Sequence, residues 1–413
     1  MADIEKIFNC LEPEYVENFK CNGQLCNARC CRGFQVDIDR QTHMKYRTIK
    51  NQPLRTKILD SLYWNGDSQT YRMNLNNDST CPMLCDDSLC LIQKNFGENF
   101  LSDICAEFPR RVYVVGDFAM RSMSLTCPIA TKFALFNSEP MRFKNISLHT
   151  TRAGCFFYRG INDVPQRIFL KTLQRFGINI LQNRNFSINE RIFILGIMMS
   201  MIDAHGDLNL EILQEFEENF QSEEFFEKMK LNMEILEFKP SLYLETMFTL
   251  TEAIFIKAVN YYSEEQRNFV QYVPQAFDMV EKSSQPTKKL LEMYEENFSA
   301  YDEFVRKKYP NFLENYLVHN FFSGLYPCRI PGGNLTLNYF VFMTLYKVFE
   351  FGLICMAGVL KENLTIEDIL EYVGRFSHRI DHGTKFQDVV IDFLCKVLEY
   401  PTEYFSSMID FEN

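Results

Sequence analysis

The sequence lacks the motifs of the commonest nucleotide-dependent and hydrolytic enzymes. It has no G-x-x-x-x-G-K-[ST] phosphate loop, no G-x-S-x-G nucleophile elbow and no H-E-x-x-H zinc helix. No glycine-rich turn of the Rossmann type follows a predicted strand. These absences argue against an ordinary doubly wound nucleotide-binding domain.

The chain also lacks a basic charge excess and a long uncharged apolar segment. Its 54 acidic and 43 basic residues give a net charge of −11, which argues against general nucleic-acid binding, because such proteins need a basic field over the phosphates. The apolar run Ile192–Ile202 has only 11 residues, and Tyr339–Leu360 is interrupted by Lys347 and Glu350. We therefore expect no membrane span, and both runs to form buried helices.

The first residues lack the apolar segment of a signal peptide, because Asp3, Glu5 and Lys6 are charged. We therefore expect a cytoplasmic protein whose thiols stay reduced.

Cysteine is unevenly distributed: ten of the fourteen cysteines lie in the first 127 residues. They form the sets Cys21-x4-Cys26-x3-Cys30-Cys31 and Cys81-x3-Cys85-x4-Cys90, followed by Cys105 and Cys127. Thiolates this close in sequence can converge on one ion or cluster, so a metal site is the first interpretation. A disulfide framework and buried structural thiols are the alternatives. The isolated cysteines, which we expect to be buried structural thiols, are Cys155, Cys328, Cys355 and Cys395.

The sequence changes character near residue 150. Strand-like stretches precede it, at Phe34–Ile38, Val112–Val115 and Met141–Ile146, whereas helical periodicity dominates after it. The predicted fold is mainly α, with a small cysteine-rich α+β domain at residues 1–150 packed on a larger all-helical domain at residues 151–413. Helix starts are indicated by capping boxes at Ser187-x-x-Glu190 and Thr365-x-x-Asp368, and a loop by Ser283–Thr287.

Several segments together resemble the flagellin lysine-N-methylase family. They are Phe19–Asp39 with its four cysteines, Cys81–Ile92, Gly97–Arg110, Ser124–Pro128, Glu314–Val318, Leu335–Ala357 and Phe376–His382. The cysteine portion alone is similar to a wider set of zinc- or iron-chelating proteins. The downstream segments extend the resemblance over nearly the whole chain.

The resemblance implies an enzyme that transfers methyl groups from S-adenosyl-L-methionine to lysine side chains of flagellin in the cytoplasm. It also implies an iron-sulfur cluster, [4Fe-4S], with zinc as the alternative. The matched cysteines are Cys21, Cys26, Cys30, Cys31, Cys81, Cys90, Cys105 and Cys127. Eight thiols exceed the four that one cluster needs, and Cys85 departs from the family pattern.

The spacing also bears on what the cluster does. Cys26-x3-Cys30 is followed at once by Cys31, so the C-x3-C-x2-C spacing of radical chemistry is missing, and a structural or redox-sensing cluster is the expectation. The competing function is a non-enzymatic metal-binding or redox-sensing protein on the same scaffold.

Residues that could handle the lysine and the methyl donor are less clearly marked. His382, which shares a helix face with His378, could accept the lysine proton, or it could simply end its helix. Tyr316 could line a channel for the lysine stem, or pack in the core. Arg110 and Arg379 are the candidates for binding the cofactor, with structural ion pairing as the alternative.

Overall fold

The computed structural model describes most of the chain. The described residues are 5–23, 26, 28–161, 163–206, 210–220, 222–234, 238–252, 272–277, 288–326, 333–382, 384–397, 404 and 408–409. The chain divides into two compact units. Unit 1 comprises Met1–Phe133 and Arg142–Gly160, and unit 2 comprises Ala134–Met141 and Ile161–Asn413.

Unit 1 contains a five-stranded mixed sheet. Its strands are β1 (Lys6–Pro13), β5 (Arg110–Val115), β6 (Phe118–Met123), β7 (Phe143–Thr150) and β8 (Phe157–Arg159). They lie side by side in the order β7-β1-β6-β5-β8. β1 runs parallel to β6, and β8 runs parallel to β5. β5 and β6 form a hairpin in which Val115 pairs with Phe118. Its two-residue turn needs a positive φ, which Gly116 supplies at 60°.

Unit 1 also contains a three-stranded antiparallel sheet, and two helices contact its strands. Its strands, in the order β2-β4-β3, are β2 (Asp37–Ile38), β3 (Leu62–Asn65) and β4 (Thr70–Met73). α1 (Arg40–Arg47) begins where the Asp39 carboxylate accepts the Thr42 N–H at 2.7 Å. α2 (Gln52–Asp60) begins at Asn51 with a proline in its first turn. The core shared by these elements includes Ile38, Tyr46, Ile49, Ile58 and Met73.

Three further helices complete the helical part of the N-terminal region. They are α3 (Leu91–Phe96), α4 (Asp103–Glu107) and α5 (Pro128–Leu135).

Unit 2 is helical in its described residues. Its helices are α6 (Val164–Leu181), α7 (Ile188–Ala204), α8 (Leu210–Asn219), α9 (Glu223–Glu234), α10 (Pro240–Thr251), α11 (Tyr272–Ala276), α12 (Lys288–Tyr301), α13 (Phe312–Ser323), α14 (Leu335–Leu360), α15 (Ile366–His382) and α16 (Thr384–Val397). A π-helical turn, Asp302–Arg306, continues α12. Residues 134–141 also belong to this unit. The side chain of Gln182, directly after α6, donates to the Met141 carbonyl, and that of Asn315 on α13 donates to the Leu135 carbonyl.

Helix α14 lies at the centre of unit 2, with twenty of its 26 residues buried. The segment Leu335–Asn363 is long and apolar enough to cross a membrane, but 89% of its apolar window is buried inside the protein. α7 approaches α14 closely at Gly196, where a Cβ would lie 2.5 Å from the Tyr339 ring. The Tyr339 hydroxyl donates to the Ile192 carbonyl at 3.0 Å. Both apolar runs of the sequence are thus buried helices, as predicted.

The predicted fold class is confirmed: the protein is mainly α with an α+β N-terminal part. The predicted strand at Val112–Val115 lies within β5, and β7 begins at Phe143 rather than Met141. Of Phe34–Ile38, only the last two residues form a strand, where Asp37 lies opposite Arg72 and Ile38 opposite Tyr71, although the Met73 N–H also donates to the Val36 carbonyl at 3.0 Å.

Both capping boxes form at the predicted helix starts, at Ser187 with Glu190 and at Thr365 with Asp368. The predicted loop Ser283–Thr287 lies outside the described residues. The boundary at residue 150 stays a prediction. Strand β8 pairs with β5, and unit 1 continues to Gly160.

Candidate functional site

The backbone brings the two cysteine sets of unit 1 side by side. Ala28, at φ 48°, leads into a 3-10 turn that carries Cys30 and Cys31. The next residues pair with the strand-like segment before Cys81: the Cys81 N–H donates to the Cys31 carbonyl at 2.8 Å, and the Gly33 N–H to Ser79 at 2.8 Å. Two thiols separated by fifty residues of sequence are therefore neighbours.

Further contacts place the remaining cysteines of the second set. The Leu91 N–H donates to the Met83 carbonyl at 2.7 Å, which folds the chain back so that Cys90 begins α3 near Cys81. Ser102 caps α4 by accepting the Cys105 N–H at 3.3 Å. Cys127 directly precedes α5 and is buried.

The thiols are close enough to affect one another's ionisation, and Cys30 is common to these interactions. Cys31 donates a hydrogen bond to Cys30, which lowers the pKa of Cys30 and raises that of Cys31. Burial is the leading cause of the raised pKa of Cys81, to about 11, and of Cys127, to about 12. The charge on Cys30 is a further cause of the raised pKa of six other thiols, those of Cys21, Cys31, Cys81, Cys90, Cys105 and Cys127. We call these seven residues the thiol cluster.

Two members of the thiol cluster lie nearer the surface. Cys105 is exposed as a residue, yet desolvation of its sulfur, followed by the neighbouring thiols, raises its pKa to about 12. Cys21 is also exposed, and Arg110 partly offsets the upward shift of its pKa. Cys26, the eighth cysteine of the predicted set, contacts the Gly23 carbonyl at 3.6 Å, and its charge raises the pKa of Cys21 and Cys127.

The positions of the cysteine side chains in unit 1 argue against a single metal ion bound by several of them. No three His, Cys, Asp or Glu side chains among the described residues are positioned to hold a single metal ion. The thirteen cysteines that the structure describes are all free thiols.

The isolated cysteines differ from the prediction at one position. Cys355 is fully buried on α14, as predicted, and Cys155 is partly buried. Cys395 was predicted to be a buried thiol, and this prediction was wrong. Its side chain is exposed on α16, next to the exposed Lys396 and one turn from the exposed Asp392. Cys328 lies outside the described residues.

Unit 2 contains a cavity of about 500 Å³. Its walls carry the aromatic side chains of Phe238, Tyr243, Tyr294, Phe298, Tyr309 and Tyr346. Five basic and three acidic residues also line it: Arg184, Arg191, Arg306, Lys307, Lys347, Asp302, Glu314 and Glu350. A cavity of this size, with aromatic walls and a set of fixed polar groups, is typical of a small-molecule site.

One buried ionic group of the cavity centres on Glu314 of α13. Its carboxylate accepts from Arg191 at 2.8 Å and from Arg184 at 2.9 Å and 3.1 Å. Arg191 also donates to the carbonyls of Phe186 and Leu181. Because the Glu314 side chain is only 4% exposed, this pairing with two arginines is what allows the charge to be buried.

A second buried ionic group lies on α14. Lys347 donates to Glu350 at 2.9 Å and to the Asn189 side chain at 2.8 Å. Glu350 also accepts from the hydroxyls of Tyr346 at 3.0 Å and Tyr301 at 3.3 Å. The Lys347 side chain is 5% exposed and that of Glu350 13%. These two charges are therefore fixed in position on the cavity wall.

The π-helical turn and the residue after it contribute three charged side chains to the cavity lining. Asp302 pairs with Lys307 at 2.7 Å and with Arg306 at 3.6 Å, and the Arg306 guanidinium lies 5.7 Å from the centre of the Phe298 ring. The Lys307 side chain is 72% exposed. π-Helical turns are frequent at functional sites, and here Arg306 in the turn and Lys307 directly after it are both cations of the cavity lining.

The predicted catalytic and cofactor residues are not among those that line this cavity. Tyr316 is buried on α13, its ring stacked on that of Phe349 with centroids 3.7 Å apart. His382 is the last residue of α15, and its side chain lies outside the described part of the structure; Arg379, on the same helix, is half-buried. Arg110, on β5, lies 5.6 Å from the Phe19 ring centre. The proposed roles of these four residues stay predictions.

The ionic residues of the cavity were not predicted from the sequence. Glu314 lies in the same matched segment as Tyr316, but the tyrosine was the predicted functional residue. Lys347 and Glu350 were interpreted only as interruptions of an apolar run. A signal was present in their spacing: two opposite charges three residues apart are the sole charges of α14, and buried charges need partners.

Comparison with known proteins finds one family model and several relatives that match the chain. Residues 174–402 match the model of the FliB lysine N-methylase C-terminal domain. The flagellar biosynthetic protein FliU of Salmonella muenchen is 31% identical over 145 residues, which are 34% of this chain and 86% of FliU. The lysine-N-methylases of Salmonella choleraesuis (strain SC-B67) and Salmonella typhimurium (strain LT2) are each 32% identical over 133 residues, 32% of this chain.

These matches differ in extent. The match spans 33% of the length of each of the two lysine-N-methylases. No solved structure matches the chain. The family model nevertheless covers more than half of the 413 residues. The chain belongs to the FliB lysine N-methylase family.

Proposed function

We propose that this protein is a methyltransferase that transfers a methyl group from S-adenosyl-L-methionine to lysine side chains of flagellin in the cytoplasm. One observation carries the proposal: every residue that lines the cavity, except Met408, lies in the segment matched by the lysine N-methylase domain. The flagellar substrate is suggested by the name of the FliU relative.

We assign the methyl donor, rather than the lysine, to the cavity. A volume of about 500 Å³ suits a ligand with a nucleoside and an amino-acid part, whereas a lysine side chain would fill only a small part of it. The rings of Tyr294 and Phe298 offer faces for stacking an adenine base. Arg306 and Lys307 offer cations to the carboxylate of the donor.

Methyl transfer to lysine is a displacement at the sulfonium carbon and requires a neutral amine in line with that carbon. The donor supplies the methyl group. The protein has to orient the donor, exclude water and accept the lysine proton. The aromatic walls and the fixed Lys347–Glu350 group serve the first two needs, and His382 remains the candidate for the third.

We further propose that Cys30, Cys31, Cys81 and Cys90 hold an iron-sulfur cluster. The donor set fits a cluster because these four thiols influence one another's ionisation. A single zinc ion would need thiols about 3.8 Å apart, as tetrahedral Zn–S bonds of ~2.3 Å require, and no such group of three occurs in the described residues. Cys30, Cys31, Cys81 and Cys90 would hold the cluster, which would supply electron transfer or an open iron site.

The methyltransferase proposal is tested with anaerobically purified protein, flagellin and S-adenosyl-L-methionine. Intact-mass analysis should show flagellin gaining methyl groups. Isothermal titration should show donor binding that weakens about tenfold in Arg306→Gln/Lys307→Gln, because two cations facing the carboxylate are lost. The variant Lys228→Gln/Lys230→Gln, with the same charge change on the exposed face of α9, is the control.

Absence of donor binding and of methylation in the wild-type protein would reject the enzyme and favour the metal-binding or redox-sensing alternative. The cluster is tested separately: the anaerobic protein should contain iron and be brown, and Cys90→Ser should lose both properties while Cys395→Ser keeps them. A colourless protein with stoichiometric zinc would contradict the cluster.

A further inference from the structure

A basic stretch in unit 1 stands out against the acidic chain. Residues 40–59 contain six Lys and Arg residues and no Asp or Glu, whereas the whole chain has a net charge of −11. The stretch forms α1, the segment after it, and α2 up to its last residue, the exposed Asp60. Two acids that precede the stretch are engaged elsewhere: Asp37 pairs with Arg72 at 2.5 Å, and Asp39 caps α1. Residues 40–60 therefore carry a net charge of +5.

Four of these cations face solvent. Arg40 and Arg47 lie seven residues apart on the exposed face of α1, with the exposed side chain of Met44 between them. Lys50 and Lys57 are exposed on the following segment and on α2. None of the four has an ion-pair partner among the residues that the structure describes. Their charge is therefore accessible to a ligand.

An aromatic stack adjoins these cations. The His43 ring of α1 stacks on Tyr71 of β4 with centroids 3.9 Å apart, and Trp64 of β3 meets Tyr71 edge-on at 5.2 Å. Trp64 is 57% exposed and Tyr63 41%. Arg47 lies within electrostatic reach of this stack, because burial and then the Arg47 charge lower the pKa of His43. We call the four cations, Met44, Tyr63 and Trp64 the basic aromatic face.

We propose that the basic aromatic face binds an acidic segment of the protein substrate, away from the lysine that is methylated. This inference rests on the proposed function. Exposed Trp, Tyr, Met and Arg side chains are those enriched at protein-binding surfaces. The absence of acids from residues 40–59 selects an acidic partner by charge complementarity.

Other anionic partners fit the surface less well. Because charges are screened beyond ~8 Å at physiological salt, the four cations act only locally, which suits a short peptide segment. The turn between β3 and β4, Asn65–Gln69, is polar and contains Asp67, so the tip of the hairpin is not suited to entering a membrane.

The chain provides its own probe, because Trp64 is its single tryptophan. Full-length protein is titrated with a poly-L-glutamate peptide while tryptophan fluorescence is recorded. On binding, the emission maximum of Trp64 should shift or its fluorescence intensity should fall, and added salt should weaken binding. Arg40→Glu/Arg47→Glu should weaken it about tenfold, because two attractions become repulsions. Arg40→Gln/Arg47→Gln should give a smaller loss.

The control is Lys228→Glu/Lys230→Glu, which changes the net charge equally on α9. Peptide binding that is unchanged by charge reversal at Arg40 and Arg47 would overturn the proposal. So would tighter binding of single-stranded DNA or of phosphatidylserine vesicles than of the peptide.

Methylation kinetics separate this inference from the proposed function. With flagellin as substrate, Arg40→Glu/Arg47→Glu should raise KM and leave kcat unchanged, since the cavity is untouched; an unchanged KM would contradict the inference. If wild-type protein methylates nothing, the proposed function has failed, whereas the peptide titration still decides whether the basic aromatic face binds acidic chains.

Discussion

Replacing Lys347 by Met should destabilise unit 2 strongly. Methionine retains most of the apolar stem but removes the ammonium that donates to Glu350 and Asn189. The Glu350 carboxylate, 13% exposed, then keeps two tyrosine hydroxyls as its partners among the residues that the structure describes. Removing one partner of a buried ion pair costs about 3–5 kcal/mol, because the remaining charge is left uncompensated.

The double variant Lys347→Met/Glu350→Gln separates the charge effect from packing. Its glutamine is uncharged and can still accept from Tyr301 and Tyr346, so we expect it to be less destabilised than Lys347→Met alone. The coupling between the two positions should reach about 2–4 kcal/mol.

The two units can be followed by different signals. Far-ultraviolet circular dichroism is dominated by the helices of unit 2, whereas fluorescence of Trp64 reports unit 1. In urea unfolding, Lys347→Met should lower the midpoint of the circular dichroism transition, and on heating its Tm should fall by roughly 10 °C. A single variant as stable as wild type, or a double variant less stable than the single one, would refute the reasoning that the pair compensates buried charge.

Three further outcomes are expected. Gly196→Ala should cost about 1–3 kcal/mol in urea unfolding, since its Cβ would overlap the Tyr339 ring, whereas Gly66→Ala, with nothing within 4 Å, should cost almost nothing. Burial raises the pKa of the Cys10 thiol to about 12, so this thiol stays protonated in the folded protein. Because the same thiol ionises first in the unfolded chain, the free energy of unfolding should fall between pH 9 and 12. Mass spectrometry after iodoacetamide treatment at pH 8 should find the exposed Cys395 labelled and Cys10 unlabelled. His382→Ala should lower the methylation rate about 100-fold near neutral pH with donor affinity unchanged; a normal rate with lower stability would leave His382 as a helix terminus only.

Much of the local structure could be predicted because it depends on neighbours in sequence. The capping boxes at Ser187 and Thr365 set helix starts through hydrogen bonds that span three residues, and both form as predicted. The strand at Val112–Val115 was predictable for the same reason, since β-type residues follow one another there. The short β2 could not be predicted in length, because its extent depends on which residues of β4 lie opposite.

The site was predictable only in part. Cysteine spacing indicated the thiol cluster, but the contact between the two sets depends on a backbone hydrogen bond from Cys81 to Cys31, across fifty residues. The exposure of Cys395 could not be inferred from its apolar sequence neighbours.

The helical class, the helix starts, the concentration of thiols before residue 130 and the family can all be read from the amino-acid sequence. These follow from short-range periodicity, capping and the identity of matched residues. Folding brings Glu314, Lys347 and Glu350 to the wall of one cavity, and it brings α1 and the β3–β4 hairpin together in the basic aromatic face. Charges distant in sequence can be buried or concentrated only when folding brings their partners or neighbours together, and no local pattern encodes that proximity.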